Sequence, residues 1–405
     1  MKILLLNAGS SSLKAALVDS SDGTTVASGL ADWAGSVTRY RYSGPDGKDR
    51  STEVPWTGYA QAVQNFLVDL VQAKPVALAD RSALGAVGHR VVHGGPFTSS
   101  MKITPDVRSR ITALAELAPL HNPPALEALA AAEAELSGVP HVAVFDTAFH
   151  ATLPPHAWTY PVPERWTRDW GIRRFGFHGL SHAYCTSRAA EMLGRPAEEL
   201  RLVICHLGHG CSAAAVQGGR CVDTTMGFTP LEGLMMGTRS GSIDPSIVLH
   251  VQERHGMTAA QVEKALNRES GLLGVSGVSA SPKDLLEVEQ SNARARAALE
   301  LYARRVVREI GALTAVLGGL DMIAFTGGIG EHSALLRERI CDALGWLGLE
   351  IDPQANRGDA RTISIARSRV RVAVEPTNEE WVAASHAWRL LRTNRPRSAP
   401  AGLAA

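Results

Sequence analysis

The sequence predicts an α/β protein with two domains, and three observations support this. Short apolar strand patterns alternate with amphipathic helix patterns along the chain. A strand–turn–strand pattern near the N-terminus returns near the middle. The chain has 405 residues, 45% of them apolar, which is more than one hydrophobic core usually spans.

The first predicted element is a β-hairpin at the N-terminus. Strand "KILLL", turn "NAGSSS" and strand "LKAALVD" follow one another, and then come the turn "SDG" and the strand "TTVAS". Residues 202–225 repeat this order as "LVICHL", "GHGCS", "AAAVQ", "GG" and "RCVDTT". One copy would be an ordinary hairpin. Two copies about 200 residues apart predict duplicated halves, each presenting backbone N–H groups to an anion such as phosphate.

Helices are predicted between the strands. Thr104-Pro105 and Asn122-Pro123 have the form of a helix cap followed by a first-turn proline. Two further helices are indicated by apolar residues that share one face, namely Tyr59, Val63, Phe66 and Leu70 in one and Tyr302, Val306, Ile310, Leu313 and Leu317 in the other.

A third glycine-punctuated strand is predicted at "DMIAFTGGIGEHSALLRERI", which runs from Asp321 into an amphipathic helix. A plain strand-to-helix turn explains it, and so does a turn where the backbone approaches a nucleotide closely beside a helix N-terminus. Neither GxGxxG nor GxxxxGK[ST] occurs, so neither a Rossmann nor a P-loop site follows.

Composition excludes several classes of protein. The 41 basic and 40 acidic residues leave a net charge of +1 with no basic tract, so we expect no nucleic-acid partner. The apolar start is too short for a signal peptide, and no stretch reaches membrane-spanning length. Five cysteines without a CxxC pair indicate a reduced, cytoplasmic protein. Residues 396–405 are expected to form a disordered tail.

Several ionisable residues stand in apolar surroundings, where a charge needs a partner or a cavity. Arg90 and Asp146 lie in or after apolar strands, His178 is flanked by Phe177 and Gly179, and His121 precedes Asn122. Each of these residues, taken alone, also fits a purely structural role, for instance an Arg90–Asp146 ion pair or His121 capping its helix. Together with Arg239 they predict a cleft for a small anion near the C-terminal ends of strands.

A zinc site is an alternative interpretation of "CHLGHGC", where the candidate ligands are Cys205, His206, His209 and Cys211. Their spacing matches no standard zinc pattern, and strand alternation would divide the side chains between two faces. We therefore expect no zinc.

The chain resembles the acetate and propionate kinase family of the actin, sugar kinase and Hsp70 superfamily. Eight matching segments run from the first residues to near the end, namely "NAGSSSLK", "GHRVVHGG", "APLHNP", "FDTAFH", "FGFHGLSH", "TTMGFTPLEGLMMGTRSG", "GGIGE" and "PTNEE".

The resemblance implies reversible transfer of the ATP γ-phosphoryl group to acetate, with Mg²⁺, by a homodimer. It also implies two actin-like (ribonuclease H-like) domains around a central cleft. The first would comprise residues 1–150 with a C-terminal helix at about 380–395. The second, nucleotide-binding domain would comprise residues 151–379.

Site residues follow from the same resemblance. The expected catalytic residues are Arg90, Asp146, His178, Arg239 and His121, with Asn7 and Glu379 at the metal. The expected nucleotide and phosphate contacts are Ser10, Ser12, Lys14, His206, Leu207, Gly208, His209, Gly210, Ser281, Pro282, Lys283, Gly327, Gly328, Ile329, Gly330 and Glu331. The expected acyl pocket consists of Val92, Leu120, Phe177 and Pro230, where the bulk of Val92 favours acetate over propionate.

This sequence departs from the family on the nucleotide side. His209 replaces the asparagine of the family's HLGNG turn, and Ser281 and Lys283 replace aspartate and arginine. Ser242 stands where aspartate is common. If His209 faces the phosphates, we expect either a rise in activity as it protonates or a site crowded by the larger ring. Alternatives to ATP-dependent acetate phosphorylation are propionate preference, another phosphoryl donor such as a different nucleoside triphosphate or pyrophosphate, and a non-catalytic nucleotide-binding protein.

Overall fold

The protein is described by a computed structural model over residues 1–119 and 121–393. Leu120 and the predicted tail at 396–405 lie outside the described residues. The chain divides into two compact units. Unit 1 comprises Met1–Ala148 and the segment that begins at Glu379, and unit 2 comprises Phe149–Asn378.

Unit 1 is built on an eight-stranded sheet. Its strands are β1 (Lys2–Gly9), β2 (Ser12–Asp19), β3 (Thr25–Asp32), β4 (Thr38–Ser43), β5 (Asp49–Val54), β6 (Leu84–Val91), β7 (Met101–Lys102) and β8 (His141–Phe145). Its helices are α1 (Tyr59–Gln72), α2 (Pro105–Ala113), α3 (Asn122–Glu135) and, at the C-terminus, α15 (Glu379–Thr393). The strand order is β5-β4-β3-β2-β1-β6-β8-β7, with β1, β6 and β8 parallel to one another.

Both faces of this sheet are covered, which explains the continuous apolar run of β1. Leu4 and Leu6 join the core that α1 and α3 cover. Ile3 and Leu5 point to the opposite face because side chains alternate along a strand. Helix α15 packs against β1, β2 and β6. A strand buried on both faces needs apolar residues at every position.

Unit 2 contains a five-stranded sheet and eleven of the α-helices among the described residues. The strands are β9 (Arg201–Leu207), β10 (Cys211–Gln217), β11 (Arg220–Thr224), β12 (Met322–Thr326) and β13 (Arg371–Val374). Between β12 and β13 lie α12 (Gly327–His332), α13 (Ala334–Asp342) and α14 (Pro353–Arg357). The preceding helices are α4 (Pro155–Trp158), α5 (Glu164–Trp170), α6 (Gly179–Leu193), α7 (Ser246–His255), α8 (Ala259–Arg268), α9 (Gly271–Ser276), α10 (Pro282–Val288) and α11 (Ala293–Leu317).

The two units share one sheet topology. In unit 1 the order β3-β2-β1-β6-β8 consists of an antiparallel three-strand meander followed by two parallel strands. In unit 2 the order β11-β10-β9-β12-β13 has the same directions. The duplicated halves predicted from the repeated hairpin are therefore confirmed.

The turns of the two hairpins differ in length. In unit 1, β1 continues through Asn7, Ala8 and Gly9, so only residues 10 and 11 form the turn. The predicted six-residue turn "NAGSSS" is wrong because Asn7 pairs with Lys14 in the ladder. In unit 2, residues 208–210 form the turn, two residues shorter than predicted.

The predicted helices are present, with one cap reassigned. Thr104 caps α2 by accepting a hydrogen bond from the Val107 N–H at 3.3 Å. Asn122 is not the cap of α3: it is the first helical residue, and its side chain instead bonds the backbone of His93, donating to O at 3.0 Å and accepting from N–H at 3.1 Å. This contact joins α3 to the segment after β6, which local sequence rules do not show. Among the described residues, no helix is both long and apolar enough to cross a membrane.

Candidate active site

Arg90 and Asp146 meet at the ends of two neighbouring parallel strands of unit 1. Arg90 is the next-to-last residue of β6, and Asp146 follows β8, where its N–H donates to Val91 O at 3.1 Å. The Arg90 guanidinium donates from Nε to Asp146 Oδ1 at 2.9 Å and from Nη2 to Oδ2 at 2.7 Å. Such a two-point contact is the geometry in which arginine binds carboxylate most strongly.

Glu379 joins this pair from the first residue of α15. Its Oε2 lies 3.1 Å from Arg90 Nη1. Burial opposes the charge of Arg90, but Asp146 and Glu379 outweigh it and raise the pKa of the guanidinium. Burial raises the pKa of Asp146, which is 1% exposed, while Arg90 and more weakly His121 act in the opposite direction. Two carboxylates share one guanidinium, which leaves surplus negative charge when both are ionised.

His121 precedes α3 but does not cap it with its side chain. The structural explanation of His121 as a cap is therefore wrong. Its effect on the pKa of Asp146 places it near the Arg90 pair. His121 and Asp146 thus interact electrostatically within unit 1.

The first hairpin carries the other expected polar groups of unit 1. Asn7 and Lys14 are direct partners across β1 and β2, so their side chains lie on the same face. Lys14 and Ser10 are exposed, and Ser12 is half-buried. The ammonium of Lys14 is thus available to an anion near the turn of the hairpin.

In unit 2, the glycine turn at residues 208–210 lies against His178 and Arg239. A methyl group built on Gly210 would lie 3.3 Å from His178 Nε2 and 3.4 Å from Arg239 Nη1. The His178 ring stacks on His206 with centroids 4.2 Å apart. The structure therefore brings together four of the residues predicted for this half of the site, and the absence of a side chain at 210 is what permits their approach.

Arg239 is a half-buried cation without a carboxylate partner. Its Nη1 donates to Pro230 O at 3.0 Å, and within the described ranges no Asp or Glu oxygen lies within 4.0 Å of the guanidinium. Burial lowers the pKa of Arg239, yet a guanidinium remains charged at any working pH. A half-buried charge left without a counter-ion favours binding of an anion.

The segment around Arg239 is packed closely. Gly241 has φ +68°, and a methyl group built there would lie 2.5 Å from Leu234 O. Leu234, Met235 and Met236 are buried. Glycine is needed here because the backbone turns left-handed and touches its own chain.

Arg174 holds the start of the same segment. Its Nη1 donates to the carbonyls of residues 224, 225 and 226 at 2.8, 3.1 and 3.2 Å, and its Nη2 donates to Glu232 Oε1 at 2.8 Å. Tyr160 donates its hydroxyl to Glu232 and accepts from Phe228 N–H at 2.9 Å. These contacts fix residues 224–232, and Pro230 with them.

The expected strand-end placement holds for only part of the cluster. Arg90 and Asp146 lie at strand ends, but His121 and His178 precede helices and Arg239 lies between β11 and α7. His178 has φ +56°, ψ +27°, a left-handed conformation that is uncommon outside glycine. Such backbone strain is found preferentially at functional sites.

His209 is exposed at the tip of the glycine turn. A methyl group built on Gly237 would lie 3.1 Å from both His209 Nδ1 and Ala280 O, so the phosphate turn approaches the segment that carries Ser281. Partial burial and the nearby Arg239 lower the pKa of His209. His209 therefore protonates below the usual pH range of a histidine, and a gain in activity on its protonation stays a prediction.

Ser281 caps α10, accepting from Asp284 N–H at 3.4 Å, while Pro282 is buried and Lys283 is exposed.

The α12 segment has no loop before it: the helix begins at Gly327 directly after β12. Gly327 has φ +76°, and a methyl group there would lie 2.8 Å from Leu207 O.

The carboxylate of Glu331 accepts hydrogen bonds from the backbone. Its Oε1 accepts from Gly327 N–H at 2.9 Å and from Thr377 N–H at 3.3 Å. Its role in the structure is to hold the turn after β12. Gly328, by contrast, is exposed with no atom within 4 Å of a built methyl group. Ile329 is half-buried and Gly330 is buried.

The expected acyl-pocket residues fall in both units. Val92 follows β6 in unit 1 and is half-buried. In unit 2, Phe177 precedes His178 and is only 1% exposed, and Pro230 binds Arg239 through its carbonyl.

The four candidate zinc ligands do not form a cluster among the described residues. Cys205 and Cys211 are buried free thiols, and Cys211 contacts Tyr302 at 3.3 Å. His206 instead bonds Ser181 Oγ at 2.8 Å. Across residues 1–119 and 121–393, no group of three or more His, Cys, Asp or Glu side chains is placed to hold a metal ion.

Sequence reasoning missed two polar residues behind His178. Ser212 on β10 and His182 on α6 are both fully buried, and Ser212 Oγ lies 2.9 Å from His178 Nδ1 and 2.8 Å from His182 Nε2. The signal was available in part, because His178 and His182 stand four residues apart at the start of a helix and therefore share a face.

Comparison with known proteins identifies the family of the chain. A family model described as the acetokinase family matches residues 2–385. The acetate kinase of Thermoanaerobacterium thermosaccharolyticum is 47% identical over 389 residues, which cover 95% of this chain and 97% of that one.

Two solved structures resemble the chain closely. The crystal structure of Porphyromonas gingivalis acetate kinase has a TM-score of 0.89 at 38% identity and covers 96% of this chain and 99% of that one. A propionate kinase from Francisella tularensis has a TM-score of 0.89 at 36% identity, with coverages of 95% and 98%. These neighbours have the actin-like fold implied by the motifs. The chain belongs to the acetokinase family.

Proposed function

We propose that this protein is an acetate kinase that reversibly transfers the ATP γ-phosphoryl group to acetate, giving acetyl phosphate and ADP. The observation that carries the proposal is Arg239, a half-buried guanidinium that has no carboxylate partner among the described residues and lies beside His178 and the glycine turn. A planar, permanently charged donor suits both a carboxylate and a phosphoryl group.

The reaction needs no general base. Acetate is ionised at neutral pH, as a carboxylic acid with a pKa of about 4 to 5 is. A carboxylate oxygen attacks the γ-phosphorus, the bond from that phosphorus to the β-γ bridging oxygen breaks, and ADP leaves with the bonding pair. Asp146 has both oxygens engaged by Arg90, so we assign it to positioning that guanidinium. Catalysis then rests on positioning and charge stabilisation.

His178 and Arg239 would supply the charge stabilisation from unit 2. His178 Nε2 and Arg239 Nη1 both approach Gly210, so their donors converge where backbone N–H groups of the turn are also available. Donors already in place when negative charge develops on the transferring phosphoryl group need no reorganisation. In unit 1, Arg90, held by Asp146 and Glu379, would supply a further positive charge for the substrates.

Mg²⁺ is the metal that this chemistry implies, and the donors in unit 1 fit it. Mg²⁺ prefers oxygen ligands and is usually held by one or two carboxylates together with substrate phosphates and water. Glu379 and Asp146 supply carboxylates in surplus over Arg90, and Asn7 lies on β1, against which α15 packs. Asn7 and Glu379 would hold the ion, which neutralises charge on the phosphates when bound.

The finer assignments are part of the same proposal. Lys14, Ser10 and Ser12 would contact phosphates from the first hairpin, and residues 206–210, 281–283 and 327–331 would contact the nucleotide. Val92, Leu120, Phe177 and Pro230 would bound the acyl group, with propionate as a slower substrate because one methylene is worth about 1 to 3 kcal/mol. The protein would act as a homodimer in the cytoplasm, where its five buried free thiols stay reduced.

Trapping of acetyl phosphate as the hydroxamate tests the proposal. Purified protein with Mg²⁺ and acetate is supplied with ATP, GTP or pyrophosphate, and then with propionate in place of acetate. We expect ATP to be the best donor and Arg239→Ala to abolish product. The control is Arg357→Ala, an exposed arginine on α14. Product only with another donor would show that His209, Ser281 and Lys283 have changed donor choice.

A further inference from the structure

Ser212 bridges two histidine rings inside unit 2. Its hydroxyl lies 2.9 Å from His178 Nδ1 and 2.8 Å from His182 Nε2. Ser212 and His182 are each 0% exposed. Ser212 Oγ forms no other hydrogen bond within the described residues. Its single proton therefore goes to one of the two rings, and the other ring must donate to it.

The second ring nitrogen of His182, Nδ1, decides the direction of these two hydrogen bonds. His182 Nδ1 is buried and has no hydrogen-bond partner in the described structure. Burial, reinforced by His150 and His206, lowers the pKa of His182, so the ring is neutral and carries one proton. If that proton were on Nδ1, a buried N–H would be left without an acceptor, which is rare and costly. The proton therefore belongs on Nε2, from which it is donated to Ser212.

The direction of the other hydrogen bond, between Ser212 and His178, follows from this assignment. Ser212 accepts from His182 Nε2–H and so donates its own proton to His178 Nδ1. A neutral His178 that accepts at Nδ1 carries its proton on Nε2. Nε2 is the atom directed at the glycine turn, 3.3 Å from a methyl group built on Gly210 and close to Arg239.

We infer that His182 and Ser212 are positioning residues that hold His178 in the tautomer with its proton on Nε2. In this form His178 donates a hydrogen bond to the transferring phosphoryl oxygen, whereas the other tautomer would direct a lone pair at that oxygen. The consequence for catalysis rests on the proposed function, but the tautomer itself does not. An orienting partner that sets a catalytic histidine's tautomer is a known physical device.

Nitrogen NMR of the resting protein tests the tautomer without any assay of activity. The chain is labelled with ¹⁵N-histidine and studied at pH 8, where an ordinary imidazole is neutral. His178 is assigned by the loss of its signals in His178→Gln. We expect a protonated Nε2 and an unprotonated Nδ1. A protonated Nδ1 in the wild-type protein would overturn the inference, whether or not acetyl phosphate is formed.

Two serine variants separate the tautomer effect from a general loss of packing. Ser212→Ala should move the His178 nitrogen shifts towards those of a ring exchanging between tautomers. It should also lower kcat about 10- to 100-fold, with KM for ATP within about threefold. Ser181→Ala removes an equally buried hydroxyl that bonds His206, and it should leave the proton of His178 on Nε2. Wild-type kcat in a folded Ser212→Ala would overturn the catalytic role.

A pair of His182 variants tests the origin of the donated proton. Gln can place an amide N–H near the position of Nε2, so His182→Gln should keep the tautomer and kcat within about threefold of wild type. His182→Phe fills similar space without a donor and should resemble Ser212→Ala. Equal behaviour of the two folded variants would contradict a donor role for His182. If neither folds, the wild-type NMR result still decides the tautomer.

Discussion

Two buried histidines of unit 1 make its stability depend on pH. His89 on β6 and His141 on β8 are 2% and 6% exposed, and His89 Nε2 lies 2.9 Å from His141 Nδ1. His141 Nε2 lies 3.3 Å from Leu136 O, to which it can only donate. His141 Nδ1 is then the acceptor for His89 Nε2–H, and His89 Nδ1 is buried without a partner in the described structure. Neither ring has an acceptor for a second proton.

The sign of the effect follows from the pKa shifts. Burial, assisted by the other ring and by Arg108, lowers the pKa of His89 well below 6.5. Burial also lowers the pKa of His141, against a smaller opposing effect of the Leu136 carbonyl. The unfolded chain therefore binds more protons than the folded one below pH 6.5. Stability from this pair is fully present above about pH 6.5 and is lost as the pH falls below it.

The magnitude can be worked from the unfolded pKa. At pH 5, an imidazole with an unfolded pKa of about 6.5 that stays neutral when folded lowers the free energy of unfolding by about 2 kcal/mol. If both rings stay neutral, the pair accounts for about 4 kcal/mol between pH 7 and pH 5. Arg108, the nearest cation, is itself paired with Glu133 and opposes protonation of both rings.

Hydrogen exchange read by mass spectrometry measures this locally. Protection of the β6 and β8 peptides, corrected for intrinsic exchange rates, gives the opening free energy of unit 1 at pH 7 and pH 5. The comparison is with the double variant His89→Leu and His141→Leu, which replaces both partners with apolar groups. Wild type should lose about 2 kcal/mol more than the variant on acidification if only His89 stays neutral, and about 4 kcal/mol more if both rings do. An equal loss in both proteins would refute this reasoning.

Three further predictions concern single residues. Arg239→Ala should lower kcat/KM at least about 100-fold and the melting temperature by no more than about 4 °C, because only the Pro230 carbonyl loses a donor and no carboxylate loses its counter-ion; a larger fall in the melting temperature would contradict this. His209→Asn should leave the pH profile between 7 and 8 unchanged, because a lowered pKa keeps His209 neutral there; a profile that differs in that range would contradict it. Gly327→Ala should destabilise the protein by more than about 2 kcal/mol, whereas Gly311→Ala, in open space on α11, should stabilise it by about 0.5 to 1 kcal/mol; denaturant titration measures both.

Local patterns were reliable where one physical effect dominates. The apolar face of α1 and the long face of α11 were predictable because burial of such a stripe outweighs other preferences. The repeated hairpin predicted the shared topology of the two sheets. Turn lengths were less predictable, since Gly and Ser fit a strand end as well as a turn, and only pairing with β2 places Asn7 in the strand.

The candidate site also has features that the sequence predicted and features that it did not. Family motifs identified Arg90, Asp146, His178 and Arg239 by type and position. They did not show that Arg90 is held by two carboxylates, or that Asn122 bonds His93 instead of capping α3. Both contacts join residues that are distant in sequence, so rules based on local sequence do not predict them.

By itself, the sequence determined the fold class, the duplication, the family and the residues expected to carry the chemistry, because these depend on periodicity and on motifs of fixed order. The tertiary structure alone decided which partners each polar group has. It left Arg239 without a carboxylate among the described residues, lowered the pKa of His209, and placed Ser212 between two rings. Charge and protonation depend on three-dimensional neighbours and on burial, and the order of residues along the chain does not contain either.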